Sequence, residues 1–162
     1  MNAKLSHINA AGHAQMVDVS AKPDLLREAT AEGTVRLLPA TLRAIAEGRV
    51  PKGEVLAVAR VAGIMAAKRC GDLIPLCHPL PIESIEVWFD LPELSPDAAT
   101  VELHVRATAR ITGKTGVEME ALTAVGVAAL TVYDMCKAID KQMSIDNVRL
   151  ASKTKVPIRI HE

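Results

Sequence analysis

The chain reads as an α+β domain in β-α-β-β-α-β order, with one antiparallel sheet and its helices on one face. Three observations predict this. Two segments, Ser84–Leu91 and Val101–Ile111, alternate apolar with polar residues, the pattern of half-buried antiparallel strands. Two long stretches, Glu54–Arg69 and Thr115 to about Lys141, are rich in Ala, Val, Leu and Met without that alternation, as helices buried on more than one side require. Strand-like runs, Glu32–Leu38 and Ser144–Ala151, lie before the first stretch and after the second.

In chain order, residues 1–20 are polar and aperiodic and read as an arm. Its Met16–Ser20 is expected to pair as a short strand or to dock on a neighbour. A single domain spans 21–155, and 156–162 is a tail, with Val156-Pro157-Ile158 extended. After the strand Glu32–Leu38, Thr41–Glu47 forms a short helix stopped by Gly48. The helix Glu54–Arg69 ends on Lys68 and Arg69, which suit its negative pole. Ile85, Val87, Phe89 and Leu91 then alternate with Ser84, Glu86, Trp88 and Asp90. Pro92 to Asp97 supplies the hairpin loop. In the next strand Val101, Leu103, Val105, Ala107, Ala109 and Ile111 form the apolar face. Thr115-Gly116-Val117-Glu118 fits a capping box that starts the long helix. With the short extra helix set aside, the order is the split-βαβ or ferredoxin-like one. The long helix carries Ala121, Ala124, Gly126, Val127, Ala128 and Ala129 all round it. One sheet covers only one side of such a helix, so its other side, or the open sheet face, is expected to meet another subunit.

Composition narrows the function. The chain has 162 residues, long enough for one domain with its own core. Net charge is zero, which argues against a nucleic-acid binder, and 2% aromatics leave little for base stacking. Cys70, Cys77 and Cys136 are odd in number and irregularly spaced; neither a disulfide framework nor a zinc site is expected, and a reducing cytoplasm fits. No basic segment followed by an apolar run opens the sequence, so no signal peptide is expected. The run Ala121–Val132 is too short for a bilayer, so no membrane partner is expected.

Chemistry-bearing residues gather in Leu73–Leu80 and Thr112–Lys137, where acids, bases and cations sit in apolar surroundings. Gly113-Lys114-Thr115 resembles the end of a Walker loop, but the required first glycine would fall at Thr108, within a strand. Its glycines read as a tight strand-to-helix turn whose free amides can still receive an anion. Asp134 and Lys137, three apart, share a helix face; they are either a surface ion pair or the lining of a pocket. Glu118 and Glu120 lie at the opposite end of that helix, where a carboxylate suits the N-terminal pole or accepts from a guanine-type ring. His78 stands in an extended Pro75–Pro79 segment, as a structural or a site residue, with Cys77 beside it as a small hydrophobe. His7, His13, His104 and His161 show no metal spacing. Lys52 stands at a helix start, where the positive pole is expected to favour the neutral amine of a proton-transfer lysine; the alternative is a solvated loop lysine.

Several long motifs resemble the cyclic pyranopterin monophosphate synthase family, the C proteins of molybdenum cofactor biosynthesis. They are His7-Ile8-Asn9-Ala10-Ala11-Gly12, Met16–Ser20, Ala62-Gly63-Ile64, Asp72–Leu80, Thr112–Ala124 and Tyr133–Ala138. Ile111 replaces the family's usual leucine ahead of the fifth. The resemblance runs from about His7 to Lys153, weakest in the Ser84–Thr100 hairpin and after Lys153. It implies a ferredoxin-like subunit in a homohexamer, a trimer of dimers, with active sites at subunit interfaces. It implies conversion of (8S)-3′,8-cyclo-7,8-dihydroguanosine 5′-triphosphate to cyclic pyranopterin monophosphate and diphosphate. Leu76, Cys77 and His78 match one substrate-binding segment, and Met119 and Glu120 a second. Asp134 matches the active-site acid, Lys52 and Lys137 the catalytic lysines, and Lys22, Arg27 and Lys153 cations near the phosphates. We assign His78 an assisting or substrate-positioning role, and Glu118 substrate binding. No redox cofactor is required, and magnesium is admissible with the phosphates, although no dedicated carboxylate cluster offers to hold it. The competing readings are a non-catalytic ligand-binding regulatory module and an oligomeric scaffold.

Overall fold

The computed structural model describes residues 8, 11–95 and 97–158. His7, His161, the start of the arm, Pro96 and the end of the tail lie outside them. Four strands, β1 (Leu25–Leu37), β2 (Ser84–Asp90), β3 (Val101–Gly113) and β4 (Ser144–Val156), form one sheet in the order β2-β3-β1-β4. Every neighbouring pair is antiparallel. The helices are α1 (Pro39–Ala46), α2 (Val55–Ala67), α3 (Cys70–Leu73) and α4 (Glu118–Cys136). This is the expected ferredoxin-like arrangement.

Period two sets the core. Ala29, Ala31, Val35 and Leu37 of β1 and Val101 to Ile111 at odd positions of β3 are buried on one face, with Val87 of β2. α4 covers that face with Ala121, Ala124, Val125, Ala128, Ala129 and Val132, and α2 packs beside it. Small residues let the helices approach. A Cβ on Gly63 would lie 2.9 Å from the Ala124 carbonyl oxygen and 3.2 Å from Ala128 Cβ. Gly63→Val should therefore destabilise the fold by about 1–3 kcal/mol, well beyond the few tenths regained from helix propensity. Thermal unfolding checks this, and an unchanged Tm would refute the close crossing.

Some boundaries differ from the sequence reading. β1 begins at Leu25 rather than Glu32, because a central strand is defined by pairing on both sides and its core residues there are only alanines. β4 runs to Val156 rather than Ala151; its last residues are exposed, so pairing with β1 defines it and no apolar pattern announces it. α3 was not expected. Leu91 is exposed just beyond β2. Val117, not Thr115, stands before the first turn of α4, and no side chain caps that helix: the capping box fails because Glu118 is bonded to Lys153 instead. α4 stops at Cys136, short of Lys141. The chain turns there because the carboxylate of buried Asp140 accepts from Leu38 N–H (2.8 Å), Thr41 Oγ1 (3.1 Å) and Gln142 N–H (3.0 Å), which also anchors the start of α1. Met16–Ser20 is not a strand. It docks on its own chain, where the Val17 carbonyl meets His78 and the Ser20 carbonyl accepts from Lys114.

Among the described residues α4 alone has the length and apolar composition of a membrane span, and its place against the sheet is that of a core helix. The two outer surfaces differ. The helix layer exposes Val58, Val61, Met65 and Leu130. The open sheet face is charged, with Arg110 bonded to Glu28 and to Glu86 at 2.9 Å.

Candidate active site

The start of α4 gathers most of the expected binding residues. Arg27 of β1 donates from Nε to the Gly113 carbonyl (2.8 Å) and from Nη2 to the Lys114 carbonyl (3.1 Å), which pins the β3–α4 turn. Glu118 folds back over Gly116, where a Cβ would overlap its carboxylate. Lys153 Nζ donates to Glu118 Oε1 at 2.9 Å. Burial alone would raise the Glu118 pKa, but the Lys153 hydrogen bond, a backbone amide and the charges of Lys153 and Arg27 hold it below the usual carboxylate value. Glu120, two residues further along α4, is only 3% exposed. Burial pushes its pKa up and the charge of Glu118 adds to that, against the pull of its backbone N–H, Cys70 and His78.

The second segment folds against this one. Gly71 packs on Pro79, where a Cβ would come 3.0 Å from Pro79 Cα, and Cys77 N–H donates to the Ile74 carbonyl. Leu76, Cys77 and His78 thereby face Met119 and Glu120 across a cleft of about 400 Å³, with Lys22 at its wall. A smaller cleft of about 230 Å³ holds Arg27, Lys153 and Lys155 and shares Gly116 and Glu118 with the first. One end of the combined groove is ring-sized and mixes apolar walls with the polar groups of Lys22, His78 and Glu120; the other is cationic beside a helix start.

The expected catalytic trio forms elsewhere. Lys52 Nζ lies 2.7 Å from Asp134 Oδ2 and 2.9 Å from the Asp134 carbonyl oxygen. Lys137 Nζ lies 2.7 Å from Asp134 Oδ1. Hydrogen bonds from Lys137, then Lys52, lower the Asp134 pKa to about 2. In return Asp134 raises the Lys137 pKa, by hydrogen bond and then by charge. Lys52, in the turn before α2, shares one carboxylate with Lys137, because that turn abuts the end of α4. All three side chains are about half exposed, 46–56%, so structural need does not explain the cluster.

Glu118 and Asp134 are sixteen residues apart on one helix, a rise of about 24 Å. The clefts and the trio are therefore at opposite ends of α4 within a chain.

All three cysteines are free thiols. Burial raises Cys70 and Cys136 to about 11 and lifts Cys77, which suits them to packing rather than nucleophilic attack. Among the described residues no three His, Cys, Asp or Glu groups converge on a metal position. Sequence reasoning missed Lys155. Its signal was the two-residue period with Lys153, readable only if the strand is carried past Ala151.

Fold and groove together define an α+β subunit in which a ring-sized cleft joins a cationic one at the start of α4. The MoaC family model matches residues 16–155. A cyclic pyranopterin monophosphate synthase of Roseiflexus sp. (strain RS-1) is 59% identical over 150 residues, covering 93% of this chain and 92% of that protein. Proteins of the same name from Chloroflexus aurantiacus (strain ATCC 29366 / DSM 635 / J-10-fl) and Nostoc sp. (strain PCC 7120 / SAG 25.82 / UTEX 2576) are 58% and 54% identical, covering 93% and 94% of this chain and 89% and 88% of theirs. The chain belongs to the MoaC family.

Proposed function

We propose that this chain is a lyase of molybdenum cofactor biosynthesis that converts (8S)-3′,8-cyclo-7,8-dihydroguanosine 5′-triphosphate to cyclic pyranopterin monophosphate and diphosphate. The observation that carries the reading is the pair of clefts joined at Gly116 and Glu118. A purine-derived ring fits between His78 and Glu120, and a triphosphate between Arg27 and Lys153. Arg27, Lys153 and Lys155 offset the charge that grows on the departing diphosphate. Ring opening, ring closure and cyclic phosphate formation all move protons. Lys137, held charged by Asp134, is the proton donor, and Lys52 the second proton-transfer group. Magnesium, if bound, arrives on the phosphates, since Glu118 is already taken by Lys153.

The trio must reach the groove from another chain, which supports sites at subunit interfaces in a homohexamer. The exposed Val58, Val61, Met65 and Leu130 offer an apolar surface for that contact. Gly126, mid-helix with nothing among the described residues within 4 Å of an added Cβ, is a second sign, because a glycine there weakens the helix by about 1 kcal/mol relative to alanine with no close packing among those residues to offset it. Three free thiols support a reducing cytoplasmic setting.

Incubating the purified protein with the cyclic dihydro-GTP derivative and assaying diphosphate tests the reading. Binding without diphosphate release would leave a ligand-binding module. Lys22→Ala and Arg27→Ala should each weaken substrate binding, and the residual binding should be less salt-sensitive. Titration at two ionic strengths checks this, and unchanged affinity and salt slope in both would make these cations surface charges.

A further inference from the structure

The Val17 carbonyl lies 2.9 Å from His78 Nε2. A carbonyl only accepts, so Nε2 carries the proton. In the neutral ring Nδ1 is then a bare acceptor, and no other hydrogen bond to this imidazole forms among the described residues. The contact is part of a longer strap. Lys114 Nζ donates to the Ser20 carbonyl at 2.7 Å, and Lys22 N–H donates to the Val19 carbonyl at 3.0 Å, closing a turn. Val17, Val19 and Lys22 all line the ring-sized cleft with His78. The strap thus covers His78 on its Nε2 side and delivers Lys22 to the same cleft.

We propose that the segment Val17–Lys22 is a positioning element of the substrate site: it fixes His78 as the Nε2–H tautomer and presents Nδ1 as a hydrogen-bond acceptor for an N–H edge of the bound ring. His78 then receives a hydrogen bond or a proton at Nδ1 and does not donate one from that atom. The ligand class, a guanine-derived or reduced pterin ring, rests on the functional reading above; the tautomer and the strap do not. Lys114, outside both clefts, acts only through the strap.

Nitrogen NMR of the full-length protein labelled at histidine tests the tautomer, with His78 assigned by its loss in His78→Gln. Raised in pH until the neutral-ring signals stop moving, His78 should show a pyrrole-type Nε2 and a pyridine-type Nδ1. The reverse pattern, or shifts averaged over both tautomers, would overturn the proposal. His78→Gln keeps a donor near the Nε2 position but no acceptor at Nδ1, so it should hold the strap and weaken substrate binding roughly tenfold. Lys114→Met should speed amide hydrogen exchange across residues 17–22 and raise the substrate Kd roughly tenfold with the rest of the exchange pattern intact. Unchanged exchange and affinity in that variant would dismiss the strap. A wild-type protein that releases no diphosphate, yet shows the expected tautomer, would strike the functional reading alone.

Discussion

Replacing either Lys52 or Lys137 by alanine should lower turnover by at least roughly a hundredfold, the low end for losing a general acid or base. Substrate should still bind, because Lys22, Arg27, His78, Glu120 and Lys153, which line the groove, are untouched in both variants. The geometry sharpens the roles. Asp134 holds both lysine heads, one on each carboxylate oxygen, and raises the Lys137 pKa. Lys137 therefore keeps its proton through neutral pH and suits a donor. A donor is lost as pH rises through its pKa, so kcat should fall on the alkaline side. Asp134→Asn removes the partner that raises that pKa, and the alkaline limb should move to lower pH. Single-turnover rates of the three variants across pH check this. Near-native turnover in both lysine variants would end the assignment, and an unmoved limb in Asp134→Asn would separate Asp134 from Lys137.

The parts of this fold that bury apolar residues with a period were legible in the sequence. β3 announces itself because Val101 to Ile111 alternate without a break, and its burial follows that alternation except at Thr108, which is buried too and whose hydroxyl pairs with that of Thr30. The first half of β1 did not, because Ala29 and Ala31 are too small to stand out beside Arg27 and Glu28. The end of β4 did not either, since an edge strand exposed on both faces has no apolar period to read. The same loss hid Lys155. Asp134 and Lys137 were readable as neighbours from their spacing of three, which a helix imposes. Lys52 reaches that pair from 82 residues away, and no local pattern encodes such a contact; only the family resemblance named it. The capping box misled because Glu118 had a stronger partner in Lys153, a charge brought in by the last strand.

Mixing two inactive chains should restore activity. Lys137→Ala damages the trio and leaves the groove intact. Glu120→Gln, which keeps the volume of a buried side chain, damages the groove and leaves the trio intact. If one chain built a complete site, every site in the mixture would carry one lesion, and the mixture would work no better than its parents. The two ends of α4 are about 24 Å apart, and the interface site proposed above joins the groove of one chain to the trio of another. A site then draws its groove and its trio independently from the two kinds of chain. Half the grooves and half the trios are native, and about a quarter of sites are native in both in an evenly mixed assembly. Co-expression with different tags, purification through both, and a diphosphate assay measure this. A quarter of native turnover, against the residual activity of either parent, is the expected result. Activity equal to the parental mean in a verified mixed oligomer would sink the shared site and require the trio to act far from the groove, which none of the proton transfers proposed here allows.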